Sequence, residues 1–186
     1  MIRKRRKERD ESALTAAGVD MAANLMNVTA NLPLGDIALY IAMPGEPPTS
    51  IAIESLTQAG HRILVPRVQG EDLVWAVVSA DTRWAVNSFG TQEPIGGFID
   101  SPGNPLADCV AVVVPAHAVD SSGMRLGQGK GFYDRALEFT RTSEPRPLLI
   151  SLTFEDEFLE QVPHEPHDIP VDVSVTDKSI RWRQQS

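Results

Sequence analysis

Apolar residues gather into short runs divided by polar, proline- and glycine-rich stretches, and each run predicts an element. Residues 2–17 are rich in helix formers, and a second helical stretch follows Gly18, with Met21, Leu25 and Val28 at i, i+4 and i+7. Ile37 to Met43 is continuously apolar, as a strand covered on both faces requires. Thr49 is placed to cap a helix carrying Ile53 and Leu56 on one face, with Gly60 closing it. Ile63 to Val65 predicts a short strand stopped by Pro66, and Leu73 to Val78 another. Residues 79–107 hold Pro94, Pro102, Pro105 and several glycines, and are expected to be mostly loop. Asp108 to Val114 is the clearest central strand, ended by Pro115. A helix near Phe132–Thr142, a strand at Leu148–Leu152 and an edge strand at Val171–Val175 complete the series. Strands alternating with helices predict an α/β fold, a three-layer sandwich with a mostly parallel central sheet and helices on both faces. We expect one domain over residues 1–186.

The strand ending at Val114 is followed by Arg125-Leu-Gly-Gln-Gly-Lys-Gly-Phe-Tyr-Asp134. Glycines at 127, 129 and 131 permit backbone conformations closed to other residues and let a ligand approach the main chain. Successive bare amides make an anion nest, and Lys130 adds a point charge. Arg125 has a fork suited to phosphate. Asp134 is a hard oxygen ligand of the kind Mg²⁺ takes beside a nucleotide phosphate. The order strand, loop, helix puts the segment beyond the strand's carboxyl end, where open α/β sheets bind ligands. The segment reads as a nucleoside-triphosphate clamp with a metal site. It is not a Walker A loop, because Met124 stands where the first glycine belongs and Gly131 where the hydroxyl belongs. Nor does its glycine spacing match the dinucleotide fingerprint.

Charge and composition narrow the class. Formal net charge is −8, yet residues 1–10 hold six basic groups against Glu8 and Asp10, a local +4 that leaves −12 for the rest. An acidic body argues against nucleic-acid binding. A single cysteine, Cys109 in an apolar run, excludes a disulfide framework. No apolar stretch approaches the length of a membrane span and no signal peptide is visible, so the expected location is the cytoplasm, with no membrane partner. His117, His164 and His167 show no metal-ligand spacing.

Val114-Pro-Ala-His-Ala-Val-Asp120 followed by Gly123-Met-Arg-Leu-Gly-Gln-Gly-Lys-Gly-Phe-Tyr-Asp-Arg135 resembles the signature of the 5-formyltetrahydrofolate cyclo-ligase family. Further segments resemble that family in order: the basic first helix with Arg3 and Arg9, Ala38 to Glu46, Val65-Pro-Arg67, Phe89 to Pro94, and Val162 to Asp168. The resemblance implies ATP-driven closure of 5-formyltetrahydrofolate to 5,10-methenyltetrahydrofolate through phosphorylation of the formyl oxygen. It implies that Arg3, Lys4 and Arg125, Leu126, Gly127, Gln128, Gly129, Lys130, Gly131, Phe132 and Tyr133 hold ATP. Lys130 and Arg125 would act on the transferring phosphoryl group. Ile41, Glu46 and Gln128 to Phe132 would face the folate, with Glu46 accepting from the pterin N–H groups. Asp134 and Asp168 would hold Mg²⁺. A monomer or homodimer is expected.

Two positions depart from that pattern. The family carries Lys-x-x-x-Arg in its first helix. Here Arg3 matches the Arg with no room for the Lys before it, and two expectations stand: Lys4 or Arg5 substitutes, or the start is truncated. Glu157 replaces a common Gln, and an ionised Glu cannot donate. It is expected either to repel the folate tail or a phosphate, or to sit further out. These departures leave a second reading open, a folate- or nucleotide-binding paralogue without catalysis. A third keeps only the fold, shared with sugar-phosphate isomerases and acyl-CoA transferases.

Overall fold

The β-branched run at Cys109–Pro115 becomes the middle strand of the sheet, because side chains with two substituents on Cβ pack well on a pleated surface. The computed structural model describes residues 2–79, 81–86, 90, 92–100 and 103–184. Helices α1 (Ile2–Glu8) and α2 (Glu11–Thr29) lead into β1 (Asp36–Leu39), α3 (Ser50–Gln58), β2 (Arg62–Gln69) and β3 (Asp72–Val78). A small hairpin of β4 (Trp84–Val86) and β5 (Gln92–Pro94) follows. Next come β6 (Cys109–Pro115), the two-residue strands β7 (Ala118–Val119) and β8 (Arg125–Leu126), and α4 (Phe132–Leu137). The chain closes with β9 (Leu148–Leu152), β10 (Val173–Val175) and β11 (Ile180–Trp182).

The main sheet has seven strands in the order β11-β10-β9-β6-β1-β2-β3. From β10 to β2 all neighbours are parallel, while β11 and β3 close the edges antiparallel. Alternate side chains serve opposite faces. Ile37, Leu39, Ala111, Val113, Ile150 and Leu152 meet α2 and α3 through Leu25, Val28, Ala52 and Leu56. Ala38, Val112, Val114 and Leu149 meet α4 and two 3₁₀ turns through Leu106, Leu137 and Phe139. This is the three-layer α/β sandwich expected.

Several boundaries differ from expectation, each for a local reason. The helix break falls at Asp10 rather than Gly18, because the Asp10 carboxylate caps the Ala13 amide and starts α2 there. Gly18 runs through the helix, packed against Pro48. Thr49 makes no side-chain cap on α3, and its hydroxyl instead accepts from the Ala42 amide. β1 stops at Leu39, four residues short of the apolar run, and β2 continues past Pro66 to Gln69. The proline is tolerated because β1 pairs with β2 only as far as Leu64, which frees one edge. β10 is not an edge strand, since β11 covers it. Residues 79–107 contain the β4–β5 hairpin and a 3₁₀ turn. Phe89 and Thr91 of the Phe89–Pro94 segment lie outside the described residues.

Candidate active site

The chain moves outward from β1 to β2 and β3, then returns to place β6 on the other side of β1. Connections therefore leave β1 and β6 in opposite directions and open a crevice beyond their carboxyl ends. A cavity of about 620 Å³ lies there. Its walls include Tyr40 and Ile41 just past β1, and Pro115, Ala116 and His117 at the end of β6. The volume falls within the range of a small-molecule site.

The glycine loop forms one wall. It is aimed by the β7–β8 hairpin, where Ala118 pairs with Leu126 and Val119 with Arg125. Two-residue strands hold poorly alone. Asp120 supplies the missing stability: its Oδ1 accepts from the amides of Ser122 and Met124 and from the Ser122 hydroxyl. Its Oδ2 accepts from the Val162 amide at 2.8 Å. Gly123 turns the hairpin at φ +79°, and a Cβ there would stand 2.2 Å from the Val171 carbonyl. Within the loop, Gly129 and Gly131 have φ of +81° and +64° while Lys130 between them does not. Such alternation in the sign of φ is the backbone pattern from which anion nests are built. α4 is only six residues long, so the nest is the main anion-binding feature here.

Opposite the loop stands Glu46, 8% exposed. Its Oε2 accepts from the Met43 amide at 2.9 Å, and its Oε1 accepts from Gln128 Nε2 at 3.0 Å. Burial pushes its pKa up, against the opposing pull of the Met43 amide, Arg6 and Gln128. The Gln128 bond joins the glycine loop to the carboxylate across 82 residues of sequence. Tyr133 leans its ring edge-on to Trp75, with centroids 6.4 Å apart. Its hydroxyl is buried without a partner among the described residues, and burial pushes the phenol well up.

Arg125 and Asp134 form an ion pair, so the guanidinium is held under the loop rather than left free as a fork. Its Nε is buried without a partner among the described residues. The Ile169 amide reaches the same Asp134 Oδ1 at 3.4 Å, which sets Asp168 beside Asp134. Asp168 Oδ2 caps the Glu165 amide at 2.7 Å, so this residue serves its turn as well as lining the cavity. No group of three or more His, Cys, Asp or Glu able to hold a metal is found among the described residues. Two carboxylates nevertheless fit Mg²⁺, which commonly takes one or two from protein and the rest from phosphate and water.

The residues expected from sequence thus largely converge. Ile41, Glu46, Arg125 to Asp134 and Asp168 all line the one cavity. Arg3 and Lys4 do not: neither is a lining residue, and Lys4 sits 3.8 Å from Glu8 on its own helix. Glu157 takes the second of its two expected courses. It is fully buried and does not line the cavity, and Arg6 grips both its oxygens at 2.7 Å. Arg6 also donates to the Ala116 carbonyl at 2.7 Å. Burial alone would lower the Arg6 pKa, but the Glu157 hydrogen bonds and charge outweigh it and raise it. Sequence reasoning missed Tyr40, Pro66, Leu73 and His117 as wall residues. Tyr40 and His117 were findable from their places just beyond the ends of β1 and β6.

The family model described as the 5-formyltetrahydrofolate cyclo-ligase family matches residues 1–177. The chain belongs to this family. A 5-formyltetrahydrofolate cyclo-ligase of Mycolicibacterium smegmatis is 31% identical over 148 residues, covering 76% of this chain and 73% of that protein. Its Escherichia coli namesake is 27% identical over 183 residues, covering 97% and 98%. The NMR structure of the Aquifex aeolicus 5,10-methenyltetrahydrofolate synthetase superposes with a TM-score of 0.80 at 27% identity, covering all of this chain and 90% of that one. Membership in the cyclo-ligase family fits the fold, the switch-point cavity and the glycine loop. No helix among the described residues is long and apolar enough to cross a membrane.

Proposed function

We propose that this protein closes 5-formyltetrahydrofolate to 5,10-methenyltetrahydrofolate at the expense of ATP, acting as one domain in the cytoplasm. The supporting observation is the Gln128–Glu46 hydrogen bond within a single cavity, which joins an anion nest to a buried carboxylate. In this reading Glu46 accepts from the pterin N–H groups while Ile41 contacts the ring. The loop from Arg125 to Tyr133 holds ATP, and its amides and Lys130 stabilise charge on the γ-phosphoryl group as it passes to the formyl oxygen. N10 then attacks the activated carbon, and phosphate leaves. Asp134 and Asp168 would hold Mg²⁺, which when bound neutralises charge on the triphosphate. Arg125 keeps Asp134 oriented toward that position.

The test follows methenyl absorbance with ATP, Mg²⁺ and 5-formyltetrahydrofolate. Turnover is expected, and absence of product from folded protein overturns the reading in favour of a binding paralogue. Lys130 is exposed, so Lys130→Ala should move unfolding by no more than about 0.5 kcal/mol. It should lower kcat by about 10²–10³-fold. Normal turnover by this variant removes Lys130 from phosphoryl transfer.

A further inference from the structure

The glycine loop and the first turn of α4 share a neighbour that stands outside the cavity. Arg135 is exposed and is not a wall residue, whereas Gly129 to Asp134 all are. Its guanidinium bridges two backbone carbonyls. Nη1 donates to the Lys130 carbonyl at 3.1 Å, and Nη2 donates to the Glu71 carbonyl, in the turn between β2 and β3. The Arg135 amide donates to the Gly131 carbonyl, also at 3.1 Å. One residue thus holds the two consecutive carbonyls on either side of the Gly131 Cα.

That hold matters because glycine offers little resistance of its own. Gly131 sits at φ +64°, and a residue without Cβ takes either hand readily. The Lys130–Gly131 peptide can therefore turn over at low steric cost, exchanging its carbonyl and its amide. In a planar trans peptide the N–H points opposite to the C=O. With the Lys130 carbonyl turned to Arg135, the Gly131 N–H points away from the guanidinium. In the turned-over state a carbonyl oxygen takes the place of that amide, and an anion there meets partial negative charge instead of a donor. The fork opposes this exchange. It lies hard against the glycine, since a Cβ at 131 would stand 3.0 Å from Nη1. Its other end is fixed to the sheet through the paired strands β2 and β3.

We infer that Arg135 is a positioning residue: its fork holds the Lys130–Gly131 peptide so that the Gly131 amide remains a donor to the phosphates of the nucleotide. The inference rests on the reading of this loop as the triphosphate site. Arg135 touches no reacting atom and acts through the loop. Lysine cannot replace it, because the two carbonyls are met by separate Nη atoms of one planar group, a geometry that a single ammonium lacks.

The experiment titrates isotope-labelled full-length protein with inorganic triphosphate and follows the Gly131 amide by NMR, with kcat measured in parallel. In the wild type the Gly131 proton should move downfield as the anion binds. Arg135→Ala should unfold close to the wild-type urea midpoint, because the side chain is exposed. It should lose most of the Gly131 shift, and kcat should fall about 10²-fold, as on removal of one donor from an oxyanion site. Arg135→Lys should match Arg135→Ala in both readouts. A full Gly131 shift in Arg135→Ala overturns the inference, as does wild-type behaviour of Arg135→Lys, which would leave charge alone at work. A wild-type Gly131 amide that ignores triphosphate overturns it too. The titration needs no turnover. A wild type that shows the Gly131 response and forms no methenyl product therefore removes the cyclo-ligase reading and leaves the role of Arg135 in place.

Discussion

Glu46 sits where burial disfavours its charged form. The folded pKa is raised by burial, so the folded state binds the proton more tightly than the unfolded chain does. The sign follows directly. Stability falls as pH rises from the ordinary carboxylate range through the raised folded value, and the full cost is present above it. Glu46→Gln should therefore raise the urea midpoint at neutral pH and flatten its slope on the acidic side. Gln can satisfy both neighbours, its oxygen accepting from Met43 and its amide facing a flipped Gln128. If Glu46 accepts from the pterin as proposed, the same change removes a charged acceptor worth about 1.5–3 kcal/mol and should weaken folate binding about tenfold or more by calorimetry. Equal folate affinity in this variant would take Glu46 out of the pterin site. At this scale the sequence was readable where function sits in consecutive residues, as in Arg125 to Asp134. Glu157 was not, because its partner Arg6 lies 151 residues away.

α1 is a seven-residue helix that could not persist alone, and it is held by charge rather than by an apolar face. Arg6 clamps Glu157 and Arg5 lies 3.2 Å from Asp156; just past the helix, Arg9 also pairs with Asp156, its guanidinium 3.8 Å from the centroid of the Phe154 ring. Removing one partner of a buried pair strands the other, so Glu157→Ala should cost about 3–5 kcal/mol in urea unfolding. Arg6→Met with Glu157→Met should recover most of that loss, since no charge is then left unpaired. Glu157→Gln should fall between, keeping an acceptor but not the charge. A cost below about 1 kcal/mol for Glu157→Ala would mean that α1 is not anchored there. Elements with dense apolar runs were legible: Leu148–Leu152 has the bounds the pattern suggests. β7 and β8 were not, since two residues carry no period and their pairing depends on the Asp120 network. Pro66 misled for a topological reason, because it interrupts a strand only if both edges are occupied there.

Alternation of strands and helices reveals a parallel sheet at the scale of the molecule, yet not the antiparallel edges β3 and β11 or the reversal at β1 and β6. That reversal determines how the molecule responds to its ligands. The cavity draws on segments near residues 40–46, 66–73, 92–93, 115–134 and 163–168, so a bound ligand braces most of the chain. A ligand that binds only the folded state at one hundred times its Kd should add about 2.7 kcal/mol to unfolding. A non-hydrolysable ATP analogue with Mg²⁺, and 5-formyltetrahydrofolate, should each do so separately. Together they should exceed the sum by about 1 kcal/mol or more. The surplus arises at the glycine loop, which is exposed from Leu126 to Lys130 and is joined through Gln128 to Glu46. Whichever ligand orders the loop first spares the second that entropy. Gln128→Ala should remove the surplus, whatever it takes from the separate increments. Denaturant melts of both proteins with each ligand and with the pair measure this directly. Strict additivity in the wild type would show that the Gln128–Glu46 bond, though present, transmits nothing between the two halves of the site.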